Sequence, residues 1–157
     1  MMARTSGWAE RLPGIALLVA RLYVGYWFLV TGLAKISGGF LWGGALLPRL
    51  QQFAAGTPHA WYKVWLVSFV IPHEHVFAIL TSMGETLAGA ALLLGALTRF
   101  SAGVGIYMVG NYLFAKGWPN PAASHDKDFI VLLLVVLIGG AGQYWGLDGW
   151  WRWRRRR

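Results

Sequence analysis

The chain has 157 residues, of which 57% are hydrophobic and 13% charged, with mean hydropathy +0.50 and net charge +8. A soluble domain of this length carries about a quarter charged residues, so the composition points to a small integral membrane protein with a single bundle. With no cysteine, disulfides, thiolate-held iron–sulfur clusters and cysteine nucleophiles are excluded.

The first apolar run, Leu12 to Ala34, is long enough to span a ~30 Å hydrocarbon core, which needs about 20 residues. It is too long for a signal peptide, Arg21 interrupts it, and no small-residue cleavage site follows before Gly38. A retained transmembrane helix is expected. The connection from Ile36 to His75 follows. Within it, Ala45 to Ala55 puts Leu46, Leu47, Leu50, Phe53 and Ala54 on one helical face, a spacing suited to a helix lying in the interface. Trp61 to Ile71 is apolar but too short to span, and Pro72 is expected to end it. Residues 45–71 are therefore expected to form a partly helical interfacial cap; a loop packed on the bundle surface is the alternative.

Three further spans are expected at 76–97, 100–118 and 129–147. The second and third meet at Thr98-Arg99, a turn so short that its helices must be antiparallel neighbours. Lys116 to Asp128, with Pro119 and Pro121, reads as a polar loop. The fold expected is all-α: an integral membrane four-helix bundle with an interfacial helical segment between the first two spans, all within one domain. Residues 150–157 form a basic tail suited to anionic lipid, which makes nucleic acid a poor candidate partner.

Four spans put both termini on one side. That side holds Arg4, Arg11, Arg99 and five C-terminal arginines; the other holds Lys35, Arg49, Lys63, Lys116 and Lys127. The asymmetry predicts cytoplasmic termini, in a bacterial or archaeal cell membrane. Nine of the tryptophans, from Trp8 to Trp153, fall at or near span ends, where indole rings settle.

Two charges lie inside spans, Arg21 and Glu85. A buried carboxylate or guanidinium costs ~3 kcal/mol or more, so each is expected to face a partner or a cavity. Counted from the inner ends of their spans, Arg21, Glu85 and Asn111 all lie roughly 14 to 18 Å deep. Each sits on a face of small residues at helical spacing: Arg21, Gly25, Phe28, Gly32 and Lys35; Glu85, Ala88, Gly89, Leu92 and Ala96; Gly103, Tyr107, Gly110, Asn111 and Phe114. A direct Arg21–Glu85 pair completed by Asn111 or Tyr107 is expected. Either it only fixes helix register, or Arg21, Glu85, Tyr107 and Asn111 hold a small polar head group or relay a proton. His59, His73, Glu74, His75, His125, Asp126 and Asp128 match no metal motif, and solvated loop residues are the expected reading. No metal is expected, and no catalytic residue is assigned.

The chain resembles the DoxX family, which is similar to the small subunit of thiosulfate:quinone oxidoreductase. The matching pieces are Arg21, Gly25 and Gly32-Leu33-Ala34-Lys35; Phe53 with Gly56-Thr57-Pro58; Gly84-Glu85, Gly89 and Leu94 to Arg99; and Gly139 to Asp148. The resemblance implies a four-helix membrane bundle tied to quinone-linked redox chemistry. It makes an oxidoreductase subunit with a bound quinone, lipid neighbours and protein partners the first expectation. A non-catalytic accessory subunit of a respiratory or photosynthetic complex, or a small-solute or proton permease, are its rivals.

Overall fold

The computed structural model describes residues 11–42, 44–118 and 120–155, and every regular element among them is helical. Arg4, Trp8, Pro119, Arg156 and Arg157, all used in reading the sequence, lie outside the described residues. The elements are α1 (Leu12–Ser37), α2 (Leu47–Gly56), α3 (Ala60–Trp65), α4 (Glu74–Leu94), α5 (Thr98–Lys116), α6 (Ser124–Gly139) and α7 (Leu147–Arg154).

α1 starts with Pro13 in its first turn, where the missing N–H costs no helical bond. α4 ends at Gly95, whose left-handed φ of +66° lets its own N–H and that of Ala96 return to the carbonyls of Leu92 and Ala91. α5 begins three residues later, so the turn is Gly95-Ala96-Leu97 rather than Thr98-Arg99. Leu97 is also left-handed, at φ +47°. Asp148 steadies it by accepting the N–H groups of Leu97 at 2.8 Å and Thr98 at 2.9 Å.

Two boundaries differ from expectation. Pro72 does not stop the chain. α3 runs through a π-helical turn (Leu66–Val70) and a 3-10 turn (Ile71–His73) directly into α4. The widened turn accommodates the proline, which has no N–H and crowds the preceding turn. The result is a helical run from Ala60 to Leu94. The last expected span, 129–147, is instead α6, from Ser124 to Gly139. Gly140, at φ +60°, turns the chain, and a 3-10 turn at Ala141–Gln143 leads on towards α7.

Two runs are long and apolar enough to cross a membrane, Leu12–Ser37 and Ala60–Leu94. Their outward residues, such as Val19, Tyr26, Val30 and Leu87, are exposed. α1, α4, α5 and α6 converge on one apolar core that includes Val24, Phe28, Leu92, Val109, Leu133 and Val136. A second core lies where α2, α3 and the π turn pack on the start of α4 and the end of α5, around Leu50, Tyr62, Leu66, Val70, Ala78 and Ala115.

The closest backbone approach is between α1 and α4. A Cβ on Gly25 would lie 3.0 Å from both Leu92 Cβ and the Leu93 nitrogen. A Cβ on Gly32 would strike the Thr86 backbone, and one on Gly89 the Leu29 backbone. Glycine at these positions lets two backbones touch, the contact that holds helices together in lipid. Gly89→Val is therefore expected to lower unfolding free energy by roughly 1–3 kcal/mol or more through overpacking. Gly110→Ala, where an added Cβ meets nothing within 4 Å, serves as the neutral control. Thermal melts of both variants in one detergent check the contrast, and equal melting would remove the packing role of Gly89.

Candidate functional site

The antiparallel contact sets the register of α1 on α4. Gly25 meets Leu92 and Leu93, Leu29 meets Gly89, and Gly32 meets Thr86. Glu85 therefore stands level with Gly32, one turn from Lys35. Helical side chains lean towards their own N-terminus, so Lys35 and Glu85 on antiparallel helices lean towards each other. Lys35 Nζ forms an ion pair with Glu85 Oε1 and donates to the Tyr112 hydroxyl at 2.8 Å. Tyr112 in turn donates to Glu85 Oε1 at 3.2 Å. Glu85 is 4% exposed, and its Oε2 is buried with no hydrogen-bond partner among the described residues. The ammonium also lies 5.1 Å from the ring centre of Tyr112 and 6.0 Å from that of Phe40. A carboxylate and an ammonium that would each be costly alone thus offset one another, with one carboxylate oxygen left over.

Tyr112 is also part of the wall of a cavity of about 360 Å³ between the α2–α3 cap and helices α4 and α5. Its lining is mostly apolar, with Leu66, Phe77 and Trp65 among the larger side chains. The polar groups on it are few: Tyr62, Thr81, Tyr107, Asn111 and Tyr112. Tyr62 donates its hydroxyl to the Asn111 carbonyl at 3.0 Å, with Asn111 Oδ1 3.4 Å away. Asn111 Nδ2 donates to the Tyr107 carbonyl at 2.7 Å. A mostly apolar chamber with a few polar groups on one wall is the usual form of a small-molecule site.

The four residues singled out from sequence do not form one layer. Asn111 and Tyr107 do line the cavity beside Tyr112, although Tyr107 is 67% exposed. Arg21 and Glu85 do not pair. Arg21 donates to the carbonyls of Ala141 at 3.2 Å and of Tyr144 and Trp145 at 3.4 Å. Its guanidinium packs where a Cβ on Gly95 or Gly146 would have to go. Equal counts from the apolar ends of the helices put Arg21 and Glu85 at one depth only if those ends are level. They are not. α1 extends past the end of α4, with Gly14 packed on Tyr144 and Leu17 on Gly139, so Arg21 sits level with the Gly95 turn.

Sequence reasoning assigned no site role to Lys35 or Tyr112. Lys35 carried a signal: it continues the Arg21, Gly25, Phe28, Gly32 face that packs on α4. Tyr112 carried none beyond standing next to Asn111. Among the histidine and carboxylate residues, Asp126 pairs with Lys116 at 2.8 Å and His73 donates from Nδ1 to the Phe69 carbonyl at 2.8 Å. No group of three His, Asp or Glu residues gathers in metal-binding range among the described residues.

The DoxX family model matches residues 16–117, well over half of the chain. The match runs from α1 through α5 and includes Lys35, Glu85 and Tyr112. Comparison with curated proteins and with solved structures gave no match.

Removing one partner of the Lys35–Glu85 pair strands the other in the interior, at a cost of about 3–5 kcal/mol. Lys35→Met and Glu85→Gln are each expected to lower the melting temperature sharply, and the double variant to recover part of the loss. Arg21→Gln should show no coupling to Glu85→Gln beyond about 0.5 kcal/mol, as for separate sites. Double-mutant cycles by thermal melting test both statements; additive losses for the Lys35–Glu85 pair would count against it.

Proposed function

The chain belongs to the DoxX family and is a membrane protein, and from that premise we propose that it is a small subunit of a quinone-linked membrane oxidoreductase, with the cavity beside Tyr112 as its quinone head-group site. The observation that carries this reading is the pairing of a ring-sized apolar chamber with a polar wall that is hydrogen-bonded onward to a buried ion pair.

Asn111, whose Nδ2 has a second hydrogen beyond the one given to the Tyr107 carbonyl, is the residue that would hold a ring carbonyl oxygen, and Trp65, Leu66 and Phe77 would enclose the ring and exclude water. A bound quinone supplies a carrier of two electrons and two protons. The chain's own contribution is to position that carrier and to handle protons. Tyr112 connects the cavity wall to Glu85, so a proton moving through its hydroxyl meets a carboxylate with a free oxygen. Lys35 holds that carboxylate in place and balances its charge. The chain has no cysteine for a thiolate cluster, so its electrons would come from a partner protein.

In this reading α1, α4, α5 and α6 cross the membrane and the α2–α3 cap lies at the outer face over the ion pair. Both termini are cytoplasmic, in a bacterial or archaeal cell membrane. The basic residues of the described C-terminal segment, Arg152, Arg154 and Arg155, and Arg99 in the α4–α5 connection support this orientation. A periplasm-active reporter fused after residue 157 is expected to stay inactive in a bacterial host; strong activity would reverse the topology.

The head-group site is tested by measuring quinone retained through mild-detergent purification. A Cβ on Gly84 meets only Met108, at 3.5 Å, so Gly84→Leu can extend into the cavity without backbone strain. Retained quinone is expected to fall by about tenfold, the equivalent of 1.4 kcal/mol. Equal retention in a variant that melts like the parent would show that the cavity is not the site.

A further inference from the structure

A second groove, of about 380 Å³, opens at the far end of the molecule from the cap, between the start of α5 and the segment joining α6 to α7. Its chemistry is amphiphilic. Leu97 and Phe100 form one side and are 61% and 71% exposed. Arg99, Gln143 and Arg152 form the other.

Two donors of that side, from Gln143 and Arg99, converge. Arg152 Nη1 donates to Gln143 Oε1 at 2.8 Å, which turns the Gln143 amide nitrogen towards Gly140. The Cβ position of Gly140 lies 2.9 Å from Gln143 Nε2 and 3.5 Å from Arg99 Nη2. Neither group has another hydrogen-bond or ion-pair partner among the described residues. The floor adds a further donor. Thr98 is 1% exposed, and its Oγ1 has no hydrogen-bond partner among the described residues. Thr98 stands in the first turn of α5, whose N-terminus already holds the Asp148 carboxylate. Asp148 is the one acidic group on the groove, and its two oxygens are already engaged by the N–H groups of Leu97 and Thr98.

One guanidinium and an amide facing a single point, with a second guanidinium on the same side of the groove and exposed apolar side chains opposite, match a phosphate joined to hydrocarbon. We propose that this groove binds the phosphate of an anionic phospholipid, with Arg99 and Arg152 on the phosphate, Gln143 between them, and an acyl chain against Leu97 and Phe100. The site is independent of the quinone cavity. It also differs from diffuse attraction of the basic tail, because Arg154 and Arg155 do not line it.

The test uses the full chain in detergent, titrated with phosphatidylglycerol or phosphatidylcholine and read by native mass spectrometry. One phosphatidylglycerol is expected to be held about tenfold more tightly than phosphatidylcholine. Arg99→Gln and Arg152→Gln should each weaken phosphatidylglycerol about tenfold, while Arg155→Gln changes it less than about twofold. Arg152 lies on the exposed α7, so its variant carries the test if Arg99→Gln disturbs folding. Equal binding of the two lipids would overturn the proposal. So would a loss in Arg155→Gln as large as that in Arg152→Gln, which would mean tail electrostatics alone. Displacement of the lipid by millimolar inorganic phosphate would assign the groove to a soluble anion and overturn it as a lipid site.

Discussion

The contact on which the rest of the structure depends is the glycine-lined crossing of α1 on α4. In lipid the surrounding hydrocarbon is as apolar as the side chains, so close packing and internal polar contacts must hold helices together. Gly25, Gly32 and Gly89 remove the side chains that would keep the two backbones apart. Because the fit is tight it also fixes register. A slide of one turn would carry Lys35 away from Glu85 and Arg21 away from the Gly95 turn.

That register creates two polar knots on one face of α1, and their chemistry differs. Arg21 is 1% exposed and donates to the backbone carbonyls of Ala141, Tyr144 and Trp145. It ties α1 to the Ala141–Trp145 segment, whose end Asp148 then binds to the turn between α4 and α5. Both Arg21 terminal nitrogens and both Asp148 oxygens bond to backbone, which is how such groups serve as structural clamps. The Lys35–Glu85–Tyr112 knot is made of side chains, keeps one carboxylate oxygen without a hydrogen-bond partner among the described residues, and shares Tyr112 with a cavity. The second arrangement leaves a buried ion pair beside an apolar chamber that can hold a ring.

The cavity itself depends on the chain between α1 and α4. Had Pro72 ended the helix, Trp61 to Ile71 would have been a separate flap. The π turn carries the helix past the proline instead, and holds Tyr62, Trp65, Leu66 and Val70 in continuous helical geometry over α4 and α5. α2 closes the other side through Leu46, Leu50 and Phe53. The aromatic groups interlock, with Trp65 edge-on to Phe77 at 6.1 Å, so the chamber has a built wall rather than a loose covering.

Several features were legible in the sequence because they depend on local pattern. The long apolar run of α1, the helical faces of small residues, the amphipathic α2 and the tight turn after α4 all follow from periodicity and from glycine. The cost of burying charge marked Arg21 and Glu85 as residues needing partners, whereas Asn111 and Tyr107, expected to complete an Arg21–Glu85 pair, line a cavity instead. Which partner each charge found was beyond reach. Pairing depends on the axial offset between helices, and that offset is set by where Gly25, Gly32 and Gly89 interlock, not by distance from an apolar end. Glu85 stands level with Gly32, about three helical turns along α1 from Arg21, so it meets Lys35 instead, with Tyr112 beside it. The fate of Pro72 and the end of α6 at Gly140 were likewise decided by tertiary context. A proline can be carried through a widened turn when the flanking residues pack, and a glycine breaks a helix where the chain must reach back to Arg21.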